Sequence, residues 1–411
     1  MISELQLNSD GQICVRGKYI FTVKQGFPCS SDKFSSEEGI PVVRIRDITS
    51  GTTETMYSGA FDERFLIDTN SFLIGMDGDF NVRWWNNGLA LLNQRCCEIL
   101  TSTCSKKYLY YVLPFYLKPI NDMMYFTTVK HLSVSDLYNQ EFLIPSLPVQ
   151  SAIANYLDSR CAQIDSMIAS AKANIEDYKA LKQSVITQAV TKGLEPNVEM
   201  KDSGYNWIKE LPFHWAQIPS KYLFRNSDTR KQKDDIQLTS SQKHGIISQE
   251  EYMRRENAKV VLADKNLENW KHVEPMDFVI SLRSFQGGLE MSETTGCITW
   301  HYVVLKPCKP IFPKYFKYLF KCAPYVKALQ NTCNFIRDGQ DLRYSNFSKV
   351  PLFFPPIAEQ LQIATYLDTR CAQIDQLVAE QQSLIDDLEA AKKSLIYECV
   401  TGKRRVPDIK E

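Results

Sequence analysis

The sequence predicts an α+β protein in which two strand-rich globular segments alternate with two long helices, arranged as an internal repeat with pseudo-twofold symmetry. Three observations carry that prediction. The sixteen residues from Gln150 to Asp165 recur from Gln360 to Asp375 with twelve identities at a constant offset of 210. Both copies lie in long stretches free of glycine, with apolar residues stepping by four and three. The residues ahead of each copy break instead into short β-type runs separated by turn residues. Four segments follow: a first head over 1–145, a central helix and linker over 146–199, a second head over 200–350, and a distal helix with a basic tail over 351–411.

The offset extends without gaps through Lys182/Lys392, Ser184/Ser394, Val190/Val400 and Thr191/Thr401, and backward through Pro145/Pro355 and Ser135/Ser345 to Leu132/Leu342. In the first helix the seam is Leu157, Cys161, Ile164, Ile168, Ala171, Ile175 and Tyr178. In the second it is Leu367, Cys371, Ile374, Val378, Ile385 and Leu388, with Gln381 as its one polar interruption. Such steps form the apolar seam of a coiled coil, and the duplication predicts that the two helices pair with each other. Pro145 and Pro148 precede the first helix and Gly193 caps its end. From Gln150 to Thr191 the helix spans about 60 Å at about 1.5 Å per residue.

Within the first head, Ile40–Ile48 alternates as a strand, placing Arg44 and Arg46 on one face with Val43 and Ile45 on the other. Leu89–Ile99 reads as a strand pair or strand and turn, and Ser105–Leu113 as a short helix. In the second head, Asp277–Leu282 is a strand running into the polar turn Arg283–Gly288, His301–Leu305 another strand, and Lys314–Lys321 a helix. The heads share little beyond Lys18–Phe21 against Lys221–Phe224 and Tyr108 against Tyr315. Near-identical helices carrying divergent heads suggest a fixed scaffold with two different targets.

The chain has 411 residues, enough for two or three domains, and 44% hydrophobic with 23% charged residues marks it as folded. Forty-eight basic against forty-eight acidic residues leave no net charge, which excludes polybasic, histone-like binding and confines any DNA contact to local patches. No apolar run approaches the roughly 18 residues of a membrane span, and Met1–Gln6 lacks the pattern of a secretory signal. The twelve cysteines include no Cys-x-x-Cys pair, and the five histidines show no ligand spacing beside them. Reduced core thiols, no bound metal, no membrane and a cytoplasmic location are therefore expected.

Catalytic motifs are missing. There is no phosphate-binding Gly-x-x-x-x-Gly-Lys-Ser/Thr loop and no His-Glu-x-x-His. Phe354-Pro-Pro-Ile357 has the prolines of an amino-methyltransferase tetrapeptide but neither flank, and Gly75–Gly78 is too short for a dinucleotide loop. Pro407-Asp408 is followed by too few residues to complete a nuclease site. The sequence points to a chain that is not an enzyme on its own.

Together these features resemble the specificity subunit of type I restriction–modification systems, along essentially the whole chain. Each head-to-helix junction carries Ile/Phe-Pro-x-Leu/Ile-x-x-Gln-x-x-Ile-Ala-x-Tyr-Leu-Asp, at 144–158 and 354–368. Val190–Leu194 leaves the first helix, and Lys201–Trp215 is similar to the family's lead-in to its second target-recognition domain. Leu92–Arg95, Ser281–Gly288 and Ile336–Leu342 also resemble family signatures. One departure is that this lead-in has no counterpart before the first head, whose opening strand is either shortened or supplied by Met1–Val15.

The resemblance implies two α/β target-recognition domains joined by two long helices packed as an antiparallel coiled coil. It implies a non-catalytic subunit that reads a bipartite, asymmetric site on double-stranded DNA, one half per head, with the helices setting the gap. It also implies two methyltransferase subunits and ATP-driven restriction subunits as partners. S-adenosylmethionine, ATP and Mg2+ would belong to those partners, with no cofactor on this chain. Alternatives are a silent or phase-variable specificity cassette, a coiled-coil scaffold without DNA readout, and an enzyme with unusual motifs.

Arginine forks read guanine in the major groove, Asn and Gln read adenine, and Lys or Ser mostly hold phosphate. On that basis the first head's candidates are Arg44, Arg46, Arg83, Lys106, Lys107 and Lys130. The second head's are Arg283, Ser284, Gln286, Arg337, Gln340 and Arg343. For each, a solvated surface charge or a salt bridge is the competing explanation. Trp84 and Trp85 fit core packing better than base stacking, and Arg160 and Arg370 fit a repeated helix salt bridge or a methyltransferase-facing contact.

Overall fold

A computed structural model of the chain describes residues 12–123, 130–259, 266–281, 284–332 and 342–407, apart from the Phe285 side chain. The chain divides into two compact units, residues 1–170 with 384–411 and residues 171–383. Packing therefore divides the chain differently from sequence segments, because each long helix contributes to both units.

The first unit is built on an antiparallel sheet ordered Thr22–Gln25, Cys96–Leu100, Ser71–Gly75, Val82–Trp85. Ser71–Gly75 is buried on every residue, as expected of a central strand covered on both faces. A second, five-stranded sheet pairs Ile40–Val43 parallel to Ala90–Leu92. Ile13–Arg16 pairs with Glu141–Ile144, whose Phe142 and Ile144 turn inward. The sequence-predicted strand over Ile40–Ile48 is corrected here. It ends at Val43, and Ile45–Ser50 is a helix whose start is closed by the Arg44 N–H donating to Asp47 Oδ2 at 2.9 Å. The helix foreseen at Ser105–Leu113 runs on, from Lys106 to Met123.

The second unit carries a sheet of the same plan: Phe224–Ser227, Val303–Pro307, Phe278–Ile280, Glu290–Met291. Ala216–Pro219 pairs with Pro351–Phe354 as Ile13–Arg16 does with Glu141–Ile144. The heads thus share a sheet order that their sequences hide. The core is aromatic: Phe224 meets Phe278, Phe316 and Phe320 edge-on at 5.2–5.5 Å between ring centroids. The lead-in is a hairpin, Met200–Tyr205 against Ile208–Pro212.

The two long helices are Leu147–Lys192 and Ile357–Val400. Pro148 falls inside the first turn rather than before it, where its missing N–H costs nothing because first-turn donors have no intrahelical partner. Gly193 ends the helix at φ +75°, its N–H donating to Ala189 O at 3.1 Å.

In the first unit Leu157, Cys161 and Ile168 are buried, Ile164 is half-buried, and Lys392 Nζ reaches both carboxylate oxygens of Asp165 at 2.7 Å. In the second, Ile175, Leu367, Cys371 and Ile374 are buried and Val378 is half-buried, and Lys182 makes the matching bond to Asp375 at 2.7 and 2.6 Å. Ile385, in the first unit, is buried too. Within the second unit Asn174 donates to Gln381, the seam's polar interruption, at 3.4 Å. Partner numbers fall as the first helix advances, so these segments run antiparallel.

Candidate nucleic-acid interface

A few side chains fix each head to its helix and thereby position everything the head presents. In the first unit Gln150 is buried; its Oε1 accepts from Ser105 N at 2.9 Å and its Nε2 donates to Pro145 O at 2.9 Å. About two turns further along the same junction motif, Asp158 accepts from Tyr111 Oη at 2.8 Å and pairs with Lys107. The second unit repeats every contact. Gln360 accepts from Phe312 N and donates to Pro355 O, both at 2.8 Å, and Asp368 holds Tyr318 Oη at 2.7 Å and Lys314 at 2.8 Å. The duplicated Gln-x-x-Ile-Ala-x-Tyr-Leu-Asp motif is thus a docking site for the head's own helix. Its Ile153, Ala154 and Leu157, like Ile363, Ala364 and Leu367, pack in the core beneath.

The second unit has a further contact, between its lead-in and its helix. His214 Nε2 lies 2.8 Å from Glu359 Oε2, and Trp215 Nε1 donates to Glu359 Oε1 at 3.0 Å. The lead-in hairpin is therefore tied to the helix by one carboxylate. At the offset of 210 the first helix has Val149 in its place.

Among the proposed DNA contacts, Arg44 and Arg46 come together. The Nη2 atoms of both donate to Thr55 Oγ1 at 2.7 Å, and the Arg44 guanidinium lies 5.1 Å from the Phe34 ring centroid. Asp47 lies 3.6 Å from Arg46 and is buried; burial raises its carboxyl pKa against the lowering effect of Arg46.

The remaining first-head candidates are tied into the fold. Arg83 closes the carbonyl end of Ile45–Ser50, its Nε donating to Ile48 O at 2.6 Å and its Nη2 to Thr49 O. Lys106 donates to Asn70 O at 2.6 Å and lies over Trp84, and burial lowers its pKa. Lys107 belongs to the head–helix joint. Lys130 donates to Asn121 Oδ1 at 2.7 Å.

In the second head Ser284 is fully buried and its hydroxyl accepts from Ser281 N at 2.8 Å, so it closes a turn. Gln286 is exposed on the short helix Ser284–Gly287, and Arg343 is exposed at the start of Tyr344–Phe347. Arg283, Arg337 and Gln340 lie outside the described residues.

Trp85 is buried and Trp84 packs edge-on to Tyr110, as core residues do. Arg160 and Arg370 do not bridge to Asp158 and Asp368, which correct the helix salt bridge foreseen for them. Each donates to the glutamine three residues on, Gln163 at 3.1 Å and Gln373 at 2.9 Å. Among the described residues no cluster of three or more His, Cys, Asp or Glu is placed to hold a metal, and no helix is long and apolar enough to cross a membrane.

Residues 15–177 match the family model of the type I restriction modification DNA specificity domain. The type I restriction enzyme EcoBI specificity subunit of Escherichia coli is 38% identical over 175 residues, which are 42% of this chain and 37% of that protein. The chain thus matches well under two thirds of that relative's length. A solved structure described as the basis of complex assembly and conformational transition of the type I R-M system superimposes with a TM-score of 0.66 at 14% identity, covering 97% of this chain and 99% of that one. At that identity the likeness speaks for the fold, and it spans both heads and both helices. The likeness in sequence to the type I restriction modification DNA specificity domain thus lies over residues 15–177, and the likeness in fold runs along the whole chain.

Proposed function

We propose that the chain is the DNA sequence-recognition subunit of a type I restriction–modification complex, without catalysis of its own. The observation that carries this is the specificity-domain match over 15–177, on a fold whose second unit repeats the sheet order and docking contacts of the first. Each head would read one half of a bipartite site on double-stranded DNA. Arg44, Arg46, Gln286 and Arg343 are the described side chains best placed to offer donors to it. The chemistry and its S-adenosylmethionine, ATP and Mg2+ would lie in partner subunits.

A duplicated exposed stripe supports two copies of one methyltransferase partner. Arg160, Gln163 and Met167 on the first helix recur as Arg370, Gln373 and Leu377 on the second, all exposed. Closely matching faces call for matching partners.

The test is co-expression with a type I methyltransferase subunit, followed by mapping of modified adenines across the host genome. The expected result is one bipartite motif that requires both proteins. Sequence-specific methylation by the isolated chain, or no motif with any such partner, would refute the reading.

A further inference from the structure

We propose that Arg44 and Arg46 act as a paired reader of a guanine in the half-site bound by the first head. This rests on the recognition role above and names the base chemistry of that site.

Each Nη2 lies 2.7 Å from one hydroxyl oxygen, so the facing Nη2 ends of two guanidinium cations are held within about 5.4 Å of each other, where the cations repel. Ordinary surface arginines relieve such crowding with carboxylates. Here the nearest is Asp47, which meets only Arg46, at 3.6 Å, and spends its other oxygen on the Arg44 backbone N–H. Arg44 Nε is buried with no acceptor. Two cationic forks are therefore assembled around one neutral hydroxyl, with most of their N–H donors unspent.

What relieves this arrangement is a ligand edge with two adjacent acceptors. In a DNA groove that is guanine O6 and N7. A phosphate oxygen pair offers similar acceptors, but phosphate is commonly held by long flexible side chains. Arg44 is instead half-buried, stacked against Phe34 and tethered to Thr55, which fixes the plane of its fork. A fixed plane suits an in-plane base edge. Arg83, the third cation nearby, is spent on Ile48 O and Thr49 O and leaves the reading to the other two.

The experiment uses the full chain in complex with its methyltransferase partner. Genome-wide methylation gives the motif for the natural protein and for Arg44→Lys, which keeps the charge and removes the fork. Binding is then measured on duplexes carrying 7-deaza-guanine, which lacks N7, at each guanine of the half-site that the variant alters. The expected outcome is a guanine in one half-site, tolerance of other bases at that position in Arg44→Lys, and a roughly 5- to 150-fold weakening with 7-deaza-guanine there. The other half-site should be read unchanged, which also shows that the variant is folded.

A motif with no guanine in either half-site, an Arg44→Lys motif identical to the natural one, or full binding to every 7-deaza-guanine duplex overturns the proposal. Weakening that is equal on all sequences assigns the pair to phosphate and overturns it as well. Absence of any motif in the natural complex overturns the recognition role itself, and is told apart because then nothing remains for the variant to alter.

Discussion

Removing the Asp368 carboxylate should loosen the second head from its helix by a measurable and divisible amount. Asp368 accepts from Tyr318 Oη at 2.7 Å and pairs with Lys314 at 2.8 Å, with the Asp and Lys side chains 39% and 53% exposed. A hydrogen bond to a charged group contributes about 1.5–3 kcal/mol when buried, and an exposed ion pair up to about 1 kcal/mol. With exposure counted against both, Asp368→Ala should cost about 2–3 kcal/mol. Asp368→Asn keeps an acceptor for Tyr318 and should cost about 1 kcal/mol.

The acid dependence has a definite sign. Burial pushes the Asp368 carboxyl upward, but its bonds to Lys314 and Tyr318 together hold it below its ordinary value. A carboxyl depressed in the folded state stabilises above its unfolded pKa of about 3.9, and that stabilisation is lost as pH falls through the folded value. Calorimetry at neutral pH should place the transition of the Asp368→Ala chain about 4–12 °C below the natural one, with the gap closing as acid protonates the carboxylate. A double-mutant cycle with Tyr318→Phe should show coupling of about 1–2 kcal/mol. Coupling near zero, or a gap that persists unchanged in acid, would refute the assignment of this joint to a charged latch.

Three further outcomes are expected. Arg160→Glu with Arg370→Glu should abolish co-purification of the methyltransferase while each single variant retains one copy, as mass measurement of the complex would show. Phe224→Ala empties the centre of the second head's aromatic cluster and should cost about 3–5 kcal/mol in chemical unfolding, because Phe224 is fully buried. With a thiol reagent at pH 8, Cys14 and Cys308, both exposed, should react in the native protein. Cys97 and Cys322, each pushed up to about 12 by burial, should react only after denaturation.

The long helices were legible because a seam of steps of four and three is a local pattern, and the offset of 210 shows it twice. The sheets were not. The pairing of Val42 with Leu91 and of Val23 with Ile99 joins residues far apart in sequence, and strands of three or four residues leave little periodicity to read. Hence two heads of one sheet order looked unrelated. The Ile40–Ile48 error has a local cause: alternation at Val43, Arg44, Ile45, Arg46 fits a strand as well as a helix start, and Asp47, three residues after Arg44, was the cap signal.

Lys107 and Lys130 looked like phosphate ligands because sequence shows a charge but not its distant partner. For Lys107 a signal existed: Lys107 and Tyr111 recur as Lys314 and Tyr318 with the same spacing, which marks a repeated structural contact rather than a reading surface. The alternation pairs Arg44 and Arg46 on a strand face, whereas in the structure Arg44 precedes a helix and Arg46 lies in it. What unites them is Thr55, which no sequence pattern connects to them.

The pairing of His214 and Trp215 with Glu359 gives exchange of heads along this chain a direction. The first head is matched to a helix whose corresponding residue is Val149, so moving it onto the second helix leaves Glu359 without His214 and Trp215 and open to water. Grafting the second head with its hairpin onto the first helix strands an indole and an imidazole N–H against an isopropyl group. The buried Trp215 indole left without an acceptor costs about 1–3 kcal/mol, whereas the exposed His214 can turn to water. A recombinant built in that orientation should recover its fold when Val149→Glu is introduced with it, so compatibility between modules is written in one residue of the receiving helix rather than in either head.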